Sequence, residues 1–174
     1  MKLKDQVAII TGAGRNIGEE VALLLASEGA KVAVVDMDKA RGDKVAEAIK
    51  AKGGQAAGFV ANVADEAQVE KMVKDVVATF GGVDILVNNA AISDNKHMLE
   101  ITKEEWDRVM EVNLKGVFLC SKAVIPVMKQ QKRGKIINIA SGTFFSGSGN
   151  MPHYTTAKGG VVALTRVMAR QLGE

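Results

Sequence analysis

The sequence has a single cysteine, Cys120, so no disulfide can close within the chain. That excludes a disulfide-stapled fold and fits a reducing, cytoplasmic setting. No apolar run reaches membrane-spanning length, and Met1 to Asp5 has no apolar core of the kind a secretory leader carries. The two histidines, His97 and His153, have no companions at metal-ligand spacing, so no metal site is expected. The net charge of +3 is small, and the basic residues alternate with acidic ones along helical stretches, which argues against nucleic acid as a partner. Linkers, low-complexity tracts and internal repeats are absent. What remains is ordinary for a globular chain: 47% hydrophobic and 25% charged. Its 174 residues suffice for one domain with a sizeable core, 1–174, and not comfortably for two.

Apolar patterning alternates strand and helix. Val7–Ile10 is a short apolar run ending at Thr11-Gly12, which reads as a buried strand. Ile17, Val21, Leu24 and Leu25 follow at helical spacing until Gly29. Val32–Val35 is a second strand without polar alternation, as expected where helices cover both faces. Lys39 to Lys52 reads as an amphipathic helix with Val45, Ala48 and Ile49 inward, and Gln55 to Val60 as a weaker strand. Val69, Met72, Val73, Val76, Val77 and Phe80 form a helical stripe, closed by Gly81-Gly82. Ile85–Val87 is strand four, Glu104 to Gln131 holds one or two helices, and Lys135–Ala140 is strand five. Thr155 to Leu172 is a last helix with Val161, Leu164, Met168 and Leu172 on one face. Met72 and Met168 are expected in the core, and Trp106 is expected to pack a helix. Such alternation predicts an α/β fold, a Rossmann-type doubly wound parallel sheet.

The segment Thr11-Gly12-Ala13-Gly14-Arg15-Asn16-Ile17-Gly18 lies between the first strand and the first helix. A glycine-rich turn there lets the backbone approach a pyrophosphate, and the helix N-terminus aims N–H groups at its charge. Gly12, Gly14, Arg15, Asn16, Ile17 and Gly18 are therefore candidate cofactor-binding residues. Asp36, at the end of the second strand, either accepts hydrogen bonds from an adenosine ribose or caps the next helix; Asp38 is the better cap candidate. Tyr154 and Lys158, four apart on a helix, share a face.

These motifs together resemble the short-chain dehydrogenase/reductase family. The turn is similar to that family's Thr-Gly-x-x-x-Gly-x-Gly segment, and Asn88-Asn89-Ala90-Ala91 to its Asn-Asn-Ala-Gly segment. Asn113, Ser141, Tyr154 and Lys158 fall where the family carries its four catalytic residues. The resemblance implies strand order 3-2-1-4-5 and places Asn62, Val63, Asn89 and Ala90 at the cofactor together with Tyr154 and Lys158. It also implies that Ser141 holds the substrate oxygen, that Lys158 bonds the nicotinamide ribose and that Asn113 positions a water. Three positions depart from the pattern. Asn16 stands for a glycine but tolerates positive φ. Asn62 stands for an aspartate, with an amide oxygen that still accepts. Ala91 stands for a glycine.

The chemistry asks for this set. Oxidising a secondary alcohol removes a hydroxyl proton as hydride leaves. A free tyrosine is almost fully protonated at neutral pH, and a nearby cation favours the phenolate. Structural alternatives stay open: Ser141 as a strand-end cap, Asn113 as a buried amide satisfied by backbone, and His153 as a bystander or a substrate contact. Phe144 and Phe145 either line an apolar pocket or anchor their loop.

The reading is an NAD-dependent oxidoreductase acting on a small-molecule secondary alcohol or ketone. The alternatives are a 3-oxoacyl thioester reductase or an inactive cofactor-binding fragment. A homodimer or homotetramer is expected through the faces of Leu114–Gln131 and Thr155–Leu172, which carry Val117, Phe118, Val124, Val127, Val161, Val162, Leu164 and Val167. Members of the family continue into a further strand beside strand five, so the chain is expected to be shorter than the working enzyme, with strand five open on one side.

Overall fold

The computed structural model describes residues 1–173. Five strands form one sheet: β1 (Val7–Thr11), β2 (Lys31–Asp36), β3 (Gln55–Val60), β4 (Ile85–Asn88) and β5 (Lys135–Asn138). All pairings are parallel, in the order β3-β2-β1-β4-β5. The intervening helices are α1 (Asn16–Ser27), α2 (Lys39–Ala51), α3 (Glu66–Phe80), α4 (Lys103–Met110), α5 (Gly116–Gln131), the short α6 (Thr143–Ser146) and α7 (Pro152–Leu172). The expected doubly wound topology is therefore present, and the order reverses between β1 and β4.

The unbroken apolar strands reflect cores on both faces of the sheet. Val7, Ile9, Ala33, Val35 and Leu86 join the core with α3 and α5, where Val69, Met72, Val76, Cys120 and Val124 are buried. Ala8, Ile10, Val32, Val34, Ile85 and Val87 point the other way, onto α1 and α2, where Ala22, Val45, Ala46 and Ile49 are buried. Successive residues of one strand thus serve opposite cores.

Several expectations need correction. The buried face of α1 is Gly18 and Ala22, whereas Ile17 and Leu24 are 64% and 61% exposed. Small residues win there because the helix sits very close: a Cβ on Gly18 would lie 2.3 Å from the Gly12 carbonyl oxygen. In α2, Ala46 is buried and Ala48 only half-buried. Strand five stops at Asn138 rather than Ala140. Helix α7 begins at Pro152, three residues before the predicted start, with proline in the first turn where its missing N–H costs nothing. Met168 and Leu164 are only half-buried and Leu172 is exposed, so Met168 is no core residue. Helices α4 and α5 are one continuous helical run, joined by a π turn over Glu111–Lys115. Among the described residues β5 pairs with β4 alone, and Ile137 is 47% exposed, as expected of an open edge.

Burial pushes the Cys120 thiol up to about 12. Because the thiolate is the reactive form, Cys120 in the folded chain should resist alkylation at mildly alkaline pH. Mass spectrometry after iodoacetamide should find it modified only once denaturant unfolds the protein.

Candidate active site

The site sits at the C-terminal ends of β1 and β4, where the strand order reverses. Two loops meet there and are sewn together. The Thr11 Oγ1 accepts from the backbone N–H groups of Asn89 and Ala90, both at 3.1 Å. The Asn89 side-chain amide donates to the carbonyls of Thr11 (2.9 Å) and Gly12 (3.1 Å). Gly12 has φ +63°, and a Cβ there would lie 2.9 Å from the Ala90 Cα. The glycine turn therefore owes its shape to Thr11 and Asn89 as much as to its glycines. The sequence puts Thr11 at the end of the strand and the start of the glycine turn, and its hydroxyl is the tie between the two loops.

Asp36 is not the cap of α2. Its Oδ2 accepts from the Gly14 N–H at 2.9 Å and its Oδ1 from the Asp38 N–H at 3.0 Å. Asp38 is the cap, accepting from the Arg41 N–H. Asp65 likewise caps α3. By contrast α1 has no side-chain cap, so its first N–H groups could serve an anion. Asn16 takes the expected positive φ, +50°. Arg15 and Ile17 are exposed beside this turn. The Asn62 Oδ1 accepts from the Ala64 N–H at 3.0 Å, leaving its second lone pair for a ligand. The Val63 side chain is buried, with Gly116 of α5 kept small against it. Only the Val63 backbone is left to meet a cofactor.

Lys158 joins the second half of the site. It is 2% exposed, and its ammonium donates to the Ile139 carbonyl at 2.6 Å. The same nitrogen lies 5.6 Å from the centroid of the Tyr154 ring. Because Ile139 is two residues before Ser141, one cation links the helix carrying Tyr154 to the strand end carrying Ser141. An ammonium has three N–H donors; the other two have no acceptor among the described residues, which fits a ribose held there. The uncapped glycine turn and the two unused donors of Lys158 together suit a nicotinamide dinucleotide. The Ser141 hydroxyl accepts from the Thr143 N–H at 3.3 Å and from the Thr143 hydroxyl at 3.0 Å, so it is tied to the start of the short α6.

Asn113 is fully buried in the π turn. Its amide makes a two-way bond with the backbone of one residue: the Ile92 N–H donates to Oδ1 at 2.8 Å and Nδ2 donates to the Ile92 carbonyl at 2.7 Å. The alternative of a backbone-satisfied amide is thus realised. Phe144 packs on Gly159 of α7, where a Cβ would come within 2.8 Å of its ring, so it anchors α6. Phe145 is 81% exposed. Trp106 is half-buried on α4. No group suited to a metal occurs among the described residues.

A family model described as short chain dehydrogenase matches residues 6–174. The chain belongs to the short-chain dehydrogenase/reductase family. It is similar to the 3-oxoacyl-(acyl-carrier-protein) reductase of Staphylococcus epidermidis, at 44% identity over 97% of this chain and 69% of that protein. The corresponding reductase of Synechocystis is 42% identical over 98% of this chain and 69% of its own. A hydroxy(phenyl)methylsuccinyl-CoA dehydrogenase subunit of Thauera aromatica is 39% identical, covering 99% and 69%. The short-chain dehydrogenase is accordingly an oxidoreductase acting on CH–OH groups with a nicotinamide cofactor. No described helix is long and apolar enough to cross a membrane.

Burial holds Lys158 below its ordinary 10.5. Between that lowered value and 10.5 the unfolded chain binds the extra proton, so the stability of the wild type rises with pH across this window. Lys158→Met lacks the group. Urea unfolding should therefore show the wild type gaining on Lys158→Met as pH rises through this window toward 10.5, with the gain levelling off above it.

Proposed function

We propose that the chain interconverts a secondary alcohol and a ketone with NAD(H), with Tyr154 as the acid/base, Ser141 holding the substrate oxygen, and Lys158 serving both tyrosine and cofactor. The observation that carries this reading is the buried Lys158 ammonium, set between the Tyr154 ring and the end of β5. Bound nicotinamide supplies the hydride in reduction and takes it in oxidation. In reduction Tyr154 gives its hydroxyl proton to the ketone oxygen while the Ser141 hydroxyl holds that oxygen in place. In oxidation the proton returns to Tyr154. Lys158 puts positive charge beside the ring that carries negative charge once its proton has gone. Asn113 contributes by fixing the loop at Ile92 and by its place in the π turn.

Gly12, Gly14, Arg15, Asn16, Ile17 and Gly18 would hold the pyrophosphate of the cofactor, Asn62 and Val63 would meet the adenine, and Asn89 and Ala90 would form the floor. Asp36 favours NAD over NADP because its carboxylate is held in place by two N–H donors. A second charge about 4 Å away would be repelled by about 4 kcal/mol at an effective dielectric of about 20, an upper value before salt screening. A 3-oxoacyl thioester is the substrate class that the similarity to acyl-carrier-protein reductases and to a CoA-ester dehydrogenase favours. Phe118 on α5 and Val167 on α7, 47% and 50% exposed, support pairing of two copies through these helices. Val117, Val124 and Val161 are buried inside the chain and leave the interface to them.

Tyr154→Phe should abolish reduction of an acetoacetyl thioester and leave NADH binding intact, whereas Lys158→Ala should impair both. Steady-state kinetics and NADH fluorescence titration separate the two effects, and turnover in Tyr154→Phe would overturn the assignment. Asp36→Ala should raise the preference for NADPH relative to NADH by about tenfold or more, since about 1.4 kcal/mol corresponds to that ratio. Equal preference before and after the substitution would remove Asp36 from cofactor selection.

A further inference from the structure

The β4–α4 loop is tied at three points to the elements that hold Tyr154. Ile92 bonds Asn113 in the π turn, which packs against α7. The Lys96 N–H donates to the Asn150 carbonyl at 2.8 Å, just before α7 begins. Between them, the Asp94 carboxylate lies 2.6 Å from the His153 Nε2. His153 is wholly buried and is the chain neighbour of Tyr154. Its Nδ1 has no partner, so the Asp94 contact is the one polar hold on the ring among the described residues. Helix α7 also lacks a side-chain cap at Met151 and opens with a proline. Its first turn, which carries Tyr154, is thus located by side-chain anchoring rather than by a cap. Asp94 stands on a different element and keeps a third of its side chain exposed, so it joins this turn to the loop and has room to be changed without disturbing the core.

We propose that Asp94 and His153 are a positioning couple for Tyr154. A carboxylate only accepts, so it fixes the imidazole with its proton on Nε2. The ring so held sets the distance between the first turn of α7 and the loop, and with it the direction of the tyrosine hydroxyl. Neither residue touches the reacting atoms. The proposal rests on the reading of Tyr154 as the acid/base.

Tyr154 is the only tyrosine in the chain. Biosynthetic fluorotyrosine therefore labels one site, and its fluorine resonance reports the surroundings of that ring without turnover. Asp94→Ala should displace or broaden this resonance, and Asp94→Asn, which keeps an acceptor for Nε2, should return it to the wild-type position. In steady-state reduction of an acetoacetyl thioester by NADH, Asp94→Ala should lower kcat by about 10–100-fold, the size expected for a small misplacement of a reacting group, with KM for NADH unchanged. Asp94→Asn should recover most of that loss, and His153→Ala combined with Asp94→Ala should be no slower than the worse single variant. A resonance left in place by Asp94→Ala, or displaced as far by Asp94→Asn, overturns the proposal. So does an unchanged kcat in Asp94→Ala. Turnover surviving in Tyr154→Phe strikes the acid/base reading alone, because the couple is judged by the resonance.

Discussion

The structure depends on holding two separate crossovers together at the point where the sheet reverses its strand order. The chain leaves β1 and β4 there in different directions, which opens a gap between the two crossovers. Thr11 and Asn89 close that gap with four hydrogen bonds between side chains and backbone. Everything downstream inherits the distance they set. The glycines permit the close approach, but a permissive backbone does not choose one shape; the hydroxyl and the amide do.

A second constraint is electrostatic. Lys158 carries an ammonium into a part of the molecule with one protein acceptor for it, and burial resists its charge. Such a group costs stability unless a ligand completes its hydrogen bonds. The same ammonium joins α7 to the end of β5, so a ligand that met its free donors would also firm that helix. Site and scaffold are not independent here: the nitrogen beside the ring of Tyr154 also fixes where the helix lies.

The strand order came from the family resemblance, whereas the strand–helix alternation and the glycine turn were legible because they rest on local patterns, namely apolar runs, helical spacing and turn residues. The capping role of Asp38 was legible for the same reason. The face of α1 was not. Ile17 and Leu24 look like an inward stripe, yet contact distance decides the face, and only Gly18 and Ala22 fit that close to the strand. Met168 misled because an apolar spacing on the last helix does not say whether anything lies opposite it. The partners of Asn113 and His153 were invisible for a different reason. Ile92 and Asp94 are far from them in sequence, and a lone polar residue carries no signal for the loop that satisfies it.

The π turn at Glu111–Lys115 places Asn113 while sparing everything after it. A residue added to a regular helix would rotate all that follows by about 100°. A π turn takes up one residue more than an α turn, so it absorbs most of that rotation within itself. Cys120 and Val124 therefore keep their place in the core, and Phe118 stays exposed. The loop gains the asparagine that holds Ile92, and the buried face of α5 keeps its register.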